Sequence, residues 1–206
     1  MPHYKLYYFN SRGNAEVVRL VFAQAGVEYE DIRLTSEQWA EFKPKTPYGF
    51  VPVLDIDGKL IGGSMPIARY LARQFGLAGE DDMARLILES AEDAIDDFKG
   101  KMSAMYFEKD EEKKATLRKD LQENITPKSF GALEKLAASN TATSDGWFYG
   151  AKVSYVDFLF THTVEYIQQE APNVLDNFPT LKKLTENVRK LPNIAKWLKE
   201  RPQTQH

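Results

Sequence analysis

Residues 51–63 read VPVLDIDGKLIGG, two short apolar runs on either side of Asp57-Gly58. An Asp-Gly pair between β-prone runs is the strongest short-range hairpin signal, because both central residues of a tight type I′ turn need positive φ. The residues around this hairpin define its setting. Upstream, YKLYYF at 4–9 is β-prone. Residues 14–25 then place Ala15, Val18, Phe22 and Ala25 at helical spacing, with Val17, Leu20 and Val21 widening the stripe. Gly26 predicts the end of that helix, and VEYEDIRL at 27–34 alternates like a half-buried strand. Downstream, Ser64 stands where a helix cap belongs, ahead of Ile67, Tyr70 and Leu71, with Gly76 as the stop.

The order β-α-β, then a β-hairpin, then α is that of a thioredoxin-like domain, predicted over residues 1–78, with GLAGEDD at 76–82 as the linker. Beyond it no strand pattern occurs. Leu88, Ala91, Ile95, Phe98 and Met102 recur every three or four residues, a core-facing stripe over four turns of helix. Residues 113–138, 154–170, 178–190 and 193–200 read as further helices. The expected fold class is therefore α/β + all-α: an N-terminal thioredoxin-like domain (βαβ-ββα) followed by an all-helical domain over 79–206. Ser154-Tyr155-Val156-Asp157 has the form of a capping box, with Val153 and Phe158 as its hydrophobic staple. Ser154 and Asp157 are accordingly read as a structural cap rather than as catalytic residues.

Several chemistries are excluded. A net charge of −3 with mixed signs gives no reason to expect nucleic acid as a partner. The absence of cysteine removes disulfides, thiolate metal sites and a cysteine nucleophile. His3, His162 and His206 lack metal-ligand spacing, so no metal is expected. No phosphate-binding glycine motif and no G-x-S-x-G elbow occurs. The N-terminus lacks a signal-peptide pattern, and no run approaches the roughly 18 apolar residues of a membrane helix. A cytoplasmic protein with no membrane partner is expected. The stretch EKDEEKKATLRKD at 108–120 reads as a solvated helix face. Glu89, Glu92, Asp93, Asp96 and Asp97 form an acidic cluster opposite the core stripe, either solvated or neutralised by cations from a partner subunit, a ligand amine or a metal.

Chemistry is more promising in YYFNSRGNAEVVRLVF at 7–22. A strand-end tyrosine, a turn and a helix start combine a phenol donor with free amides that favour an anion. Alternation sets Tyr7 and Phe9 on one face of the strand and Tyr8 on the other, without saying which face is functional.

This stretch, together with TPYGFVPVL at 46–54, GSMPIARYL at 63–71, AIDDF at 94–98, SYVD at 154–157 and RPQT near the end, resembles the cytosolic glutathione S-transferases. The likeness covers essentially the whole chain and is nearest the sigma class and its glutathione-dependent prostaglandin D synthase relatives. It implies that Tyr8 is the catalytic tyrosine, donating its hydroxyl to the sulfur of glutathione, which is a cosubstrate and not a permanently bound cofactor. It further implies a glutathione site made of Trp39, Lys43, Phe50, Val51, Pro52, Gly63 and Ser64, with Asp97 supplied by the other subunit of a homodimer, where Arg69 or Arg73 could pair with the acidic face. Val51-Pro52 matches a cis-proline whose preceding backbone pairs with the cysteinyl moiety. The hydrophobic substrate pocket is assigned to Phe9, Gly13, Met102, Met105 and Tyr106, with Tyr155 and the C-terminal segment nearby. The chain departs from the family at Gly63, where glutamine is usual, at Phe50, at Pro66, and at Asn14, where the prostaglandin synthase has a basic residue. The implied activity is conjugation of glutathione to hydrophobic electrophiles in detoxification. Prostaglandin H to D isomerisation, lipid-hydroperoxide reduction, and non-catalytic binding of haem or other hydrophobic ligands are the alternatives.

Overall fold

The computed structural model describes residues 2–204, which form two compact units: residues 2–77 with 189–204, and residues 78–188. His206 lies outside the described residues.

The first unit is built on a four-stranded sheet in the order β2-β1-β3-β4, from β1 (Tyr4–Phe9), β2 (Glu30–Leu34), β3 (Val53–Ile56) and β4 (Lys59–Gly62). β1 runs parallel to β2 and antiparallel to β3, and β3 pairs antiparallel with β4 around Asp57-Gly58, both at positive φ as the hairpin signal requires. Helix α1 (Glu16–Ala25) crosses from β1 to β2 and packs on α3 (Ser64–Gln74). Alternation along β1 sorts its side chains. Tyr4 and Leu6 are buried, and the Tyr4 ring lies 5.3 Å from Phe22 of α1. Tyr7 points the other way and stacks on Phe42 at 4.4 Å.

Two local features differ from expectation. Helix α2 (Ser36–Phe42) has no buried residue, so no apolar stripe marks it. What starts it is a capping box: the Gln38 amide donates to Thr35 Oγ1 at 3.3 Å, and the Thr35 amide donates to Gln38 Oε1 at 2.9 Å. At α3 the cap is Gly63 rather than Ser64. Gly63 has φ 100°, which a side chain would resist, so the helix begins after it with Ser64 in its first turn.

The second unit is all-helical: α4 (Asp82–Phe107), α5 (Glu111–Asp120), α6 (Thr126–Ser139), α7 (Tyr155–Glu170) and most of α8 (Pro179–Lys190). Every residue of α7 from Tyr155 to Val164 is buried, and its Phe160 meets Phe130 and Phe148 edge-on at 5.3 and 5.5 Å. The capping box that starts α7 forms as read. Asp157 accepts from the Ser154 amide at 2.7 Å, the Ser154 hydroxyl at 2.8 Å and the Phe148 amide at 3.0 Å.

The single helix expected over 113–138 is interrupted by a π turn at Leu121–Ile125. Pro127 has no amide to give the carbonyl four residues back, and the Thr126 amide bonds Leu121, so the ladder widens there. The core stripe of α4 takes Leu88, Ala91, Ile95 and Phe98 as expected but continues to Met105, leaving Met102 half-buried. Glu92 does not lie on the acidic outer face: it is 1% exposed and accepts a hydrogen bond from the hydroxyl of buried Tyr155.

The C-terminal segment also departs from the expected division. Helix α9 (Pro192–Glu200) belongs to the first unit and packs on α1. Trp197 Nε1 and Arg201 Nη1 donate to the buried Glu16 carboxylate at 2.9 and 2.8 Å. No local pattern in residues 189–206 names an acid 181 and 185 residues back along the chain as partner.

Candidate active site

β1 delivers Tyr8 and Phe9 to one end of the sheet, where the Ser11 amide bonds the Phe9 carbonyl at 2.7 Å and the chain turns through Gly13–Ala15 into α1. The first amide beyond Gly13, that of Asn14, donates to Tyr8 Oη at 3.1 Å. With Oη already accepting, the phenol's own proton is left to donate elsewhere, and accepting one hydrogen bond strengthens a hydroxyl as donor of the next. Gly13 permits this approach. It has φ 43°, and a Cβ there would collide with the Tyr8 hydroxyl. Tyr7 is different in kind: burial pushes its phenol above the ordinary value, with Asp55 adding to this, and its ring is stacked in the packing against Phe42.

Beneath Tyr8 lies a group that the sequence reading missed. Arg19 is fully buried, with its guanidinium carbon 5.8 Å from the centre of the Tyr8 ring. Its Nη1 donates to the Ser11 carbonyl at 2.8 Å, and Nε donates to Asp31 at 3.1 Å. Arg19 thus ties down the turn that carries Gly13 and Asn14. The available signal was a charged residue inside the run Val17-Val18-Arg19-Leu20-Val21, which has no polar face to offer it.

Sheet register brings three predicted segments together. The pairing of Tyr7 with Val53 sets Tyr8 across from Pro52, and the Gly63 amide donates to the Pro52 carbonyl at 3.1 Å. Tyr8, Val51-Pro52 and Gly63-Ser64 therefore meet at one end of the sheet, and the Val51–Pro52 peptide is cis. The first amides of α3, those of Ser64 and Met65, have no intrahelical acceptor and give this end a partial positive charge. Trp39 of α2 lies edge-on to Phe9 at 5.7 Å, and the Lys43 ammonium lies 6.0 Å from the Trp39 ring. Phe9 is thus a neighbour of the Trp39–Lys43 pair. Phe50 is half exposed and stacks on Tyr48.

The residues expected from the helical unit fare unevenly. Asp97 is exposed on α4 and paired with Lys101 at 2.6 Å. Tyr106 is exposed, and Met102 is half-buried. Met105 and Tyr155, at 3% and 1% exposure, are core residues and not a surface that a second substrate touches in this structure. Among the described residues no group of three His, Asp or Glu side chains could hold a metal ion, and no helix is long and apolar enough to cross a membrane.

The arrangement sets a phenol whose oxygen already accepts a hydrogen bond beside a cis-proline turn and a helix start that favours an anion. Residues 4–73 match the family model for the glutathione S-transferase N-terminal domain, and residues 96–201 match that for the glutathione S-transferase C-terminal domain. The chain is 39% identical over 209 residues to glutathione S-transferase 1 of Ascaris suum, covering 99% of both chains. It is 38% identical over 204 residues to hematopoietic prostaglandin D synthase of Gallus gallus, again covering 99% of both. Among solved structures, monomeric Na-GST-3, a glutathione S-transferase of Necator americanus, superposes with a TM-score of 0.91 at 32% identity, covering 99% of this chain and 100% of that one.

Proposed function

This chain belongs to the glutathione S-transferase family, and from that premise we propose that Tyr8 converts bound glutathione into the nucleophile. The protein is a glutathione transferase, with glutathione as cosubstrate. The sulfur comes with the cosubstrate, which fits a chain containing no cysteine. The observation that carries the role of Tyr8 is the Asn14 amide on its hydroxyl oxygen, which leaves the O–H to donate to a ligand. A free thiol with pKa about 8.5 is only a few per cent ionised at neutral pH. Lowering that by two units takes about 2.7 kcal/mol of preferential stabilisation of the thiolate. One charge-assisted hydrogen bond, with the dipoles of the α3 start, is of that size. The thiol proton then passes to solvent, the thiolate attacks the electrophilic carbon, and the leaving group departs with the bonding pair.

In this reading the backbone at Val51 pairs with the cysteinyl unit as an added strand. The Ser64 end of α3 takes the γ-glutamyl carboxylate, and Trp39 and Lys43 hold the glycyl end. Gly63 supplies no side-chain amide, so the carboxylate rests on backbone and on Ser64. Phe9 and Gly13, beside Tyr8, are assigned to the hydrophobic substrate. Conjugation of a chlorodinitrobenzene-type electrophile tests the activity: saturable turnover dependent on glutathione supports it, and glutathione binding without turnover contradicts it.

Gly13→Ala is the sharpest probe of how Tyr8 is placed. The new methyl must displace the hydroxyl, and the positive φ adds about 1 kcal/mol of strain. Turnover is expected to fall by up to about 30-fold, the loss expected for removing the hydroxyl altogether, since a reacting group displaced by about 1 Å forfeits its contact. Thermal unfolding should shift by only a few degrees. Unchanged turnover would mean that Tyr8 does not act from this position.

The reading extends to a sigma-class, cytoplasmic, detoxifying enzyme working as a homodimer in which Asp97 reaches the γ-glutamyl amine of the other subunit. Exposed Tyr48 and Phe50, whose rings stack 5.7 Å apart, support association. Sedimentation decides it: a monomer at micromolar concentration removes the role of Asp97, and the Necator americanus relative is described as monomeric. The likeness to the chicken prostaglandin D synthase favours isomerisation as a second activity, with Asn14 in place of a basic residue weighing against it.

A further inference from the structure

Arg19 has no solvent exposure and stands on α1 among buried Val17, Val18, Leu20 and Val21. Its ion pairs with Glu16 at 3.4 Å and Asp31 at 3.1 Å offset the loss of hydration. One nitrogen, Nη2, is nevertheless buried with no hydrogen-bond partner. Replacing buried ion pairs by apolar side chains of similar volume is often neutral or stabilising. Stability alone is therefore a weak reason for an arginine at this position, and its contacts supply a better one.

The guanidinium spans from fixed anchors to the turn after β1. On the anchor side, Nε donates to Asp31 of β2, whose other oxygen is held by Arg33 Nε at 2.9 Å and Nη2 at 2.8 Å. Nη1 lies 3.4 Å from Glu16 Oε2, and Trp197 and Arg201 of α9 hold Glu16 Oε1. On the turn side, Nη1 donates to the Ser11 carbonyl at 2.8 Å and the Arg12 carbonyl at 3.3 Å. The same turn goes on to Asn14, whose amide is on Tyr8 Oη. The guanidinium carbon is also within cation–π reach of the Tyr8 ring, at 5.8 Å. Arg19 thus meets Tyr8 twice, directly at the ring and through the turn at the hydroxyl. A lysine, with one nitrogen, cannot bridge anchors and carbonyls in this way.

We propose that Arg19 is a positioning residue for the transferase reaction: anchored by Asp31 and Glu16, it holds the Asn14 amide and the Tyr8 ring so that the Tyr8 hydroxyl meets the bound thiol. The proposal rests on the reading of Tyr8 as the group that ionises glutathione.

The test is the thiol pKa of glutathione saturating the full chain, read from thiolate absorbance in wild type, Arg19→Lys, Asp31→Ala, Tyr8→Phe and the double variant Arg19→Lys/Tyr8→Phe. Arg19→Lys keeps the charge and loses the fork, and should raise the apparent pKa from about 6.5 to about 7.5, with a threefold smaller ionised fraction at pH 7. Asp31→Ala, at a partly exposed position, removes one anchor and should raise it by about 0.5. The double variant should stay near the value of about 8.5 expected for Tyr8→Phe alone, because Arg19 acts through Tyr8. A merely structural arginine would lower the melting temperature of Arg19→Lys and leave the thiol pKa of the folded protein unchanged, and that result overturns the proposal. So does an equal rise in the presence and absence of the Tyr8 hydroxyl, which would put Arg19 in direct contact with the thiolate. If Arg19→Lys does not fold, Asp31→Ala decides, and a wild-type thiol pKa there overturns the proposal. Failure of the underlying reading is distinct: Tyr8→Phe would itself keep the wild-type value.

Discussion

Tyr8→Phe is expected to lower turnover with a chlorodinitrobenzene-type electrophile about 30-fold at pH 7, with glutathione affinity lowered only about fourfold. Losing the hydroxyl returns the bound thiol from about 6.5 towards its free value, and the ionised fraction falls about 25-fold. A more basic thiolate is a better nucleophile and restores part of this. The sulfur, no longer aimed by a hydrogen bond, loses more. Affinity is spared because the tripeptide is held by backbone at Val51 and by the Ser64, Trp39 and Lys43 contacts proposed for it. The deficit should shrink as pH rises through about 8.5, where the thiol ionises unaided. A variant with the same turnover, or one whose deficit is independent of pH, assigns the ionisation to another group.

The second large effect is on stability. Asp157 is fully buried, and its carboxylate holds the amides of Phe148 and Ser154 and the Ser154 hydroxyl. Asp157→Ala strands two buried amides and removes the cap of the central helix, for a loss of about 3–4 kcal/mol. In a chain of 206 residues that is a fall of about 10 °C in melting temperature. Burial nevertheless pushes the Asp157 carboxyl up from 3.8 to about 6, against the hydrogen bonds that pull it down. The sign follows: the folded state holds this proton more tightly than the unfolded state, so the contribution is complete below about pH 4 and declines as pH rises through 6. The stability gap between wild type and Asp157→Ala should therefore narrow by about 1.4 kcal/mol from pH 5 to pH 8. Denaturant unfolding at the two pH values measures it, and a gap that widens with pH would reverse the assignment.

What the sequence made legible were features whose cause is local. β1, the Asp57-Gly58 hairpin and the cap at Ser154–Asp157 were all readable because a few adjacent residues determine them. The resemblance then selected Tyr8, which alternation alone could only separate from Tyr7 and Phe9. The misses have a common physical origin in partners distant along the chain. Helical period gives a face and not its neighbour, so Glu92 reads as part of the outer acidic cluster although the Tyr155 hydroxyl bonds it in the core. The stripe of α4 shifts from Met102 to Met105 over the last turn, where a period of 3.6 and a spacing of three or four part company. Glu16, a buried acid on α1, draws Trp197 and Arg201 to the first unit, and nothing in residues 189–206 announces it. Helix α2 was missed for the opposite reason: it buries nothing, and only the Thr35–Gln38 box marks it. Arg19 completes the pattern, since its value lies in a ring and two carbonyls that the fold brings to it.

The role of Tyr8 is tested most directly by titrating the ultraviolet absorbance of the thiolate of glutathione bound to wild type and to Tyr8→Phe. The account predicts an apparent thiol pKa near 6.5 in wild type and a return to about 8.5 in the variant. Equal values in the two proteins would contradict it.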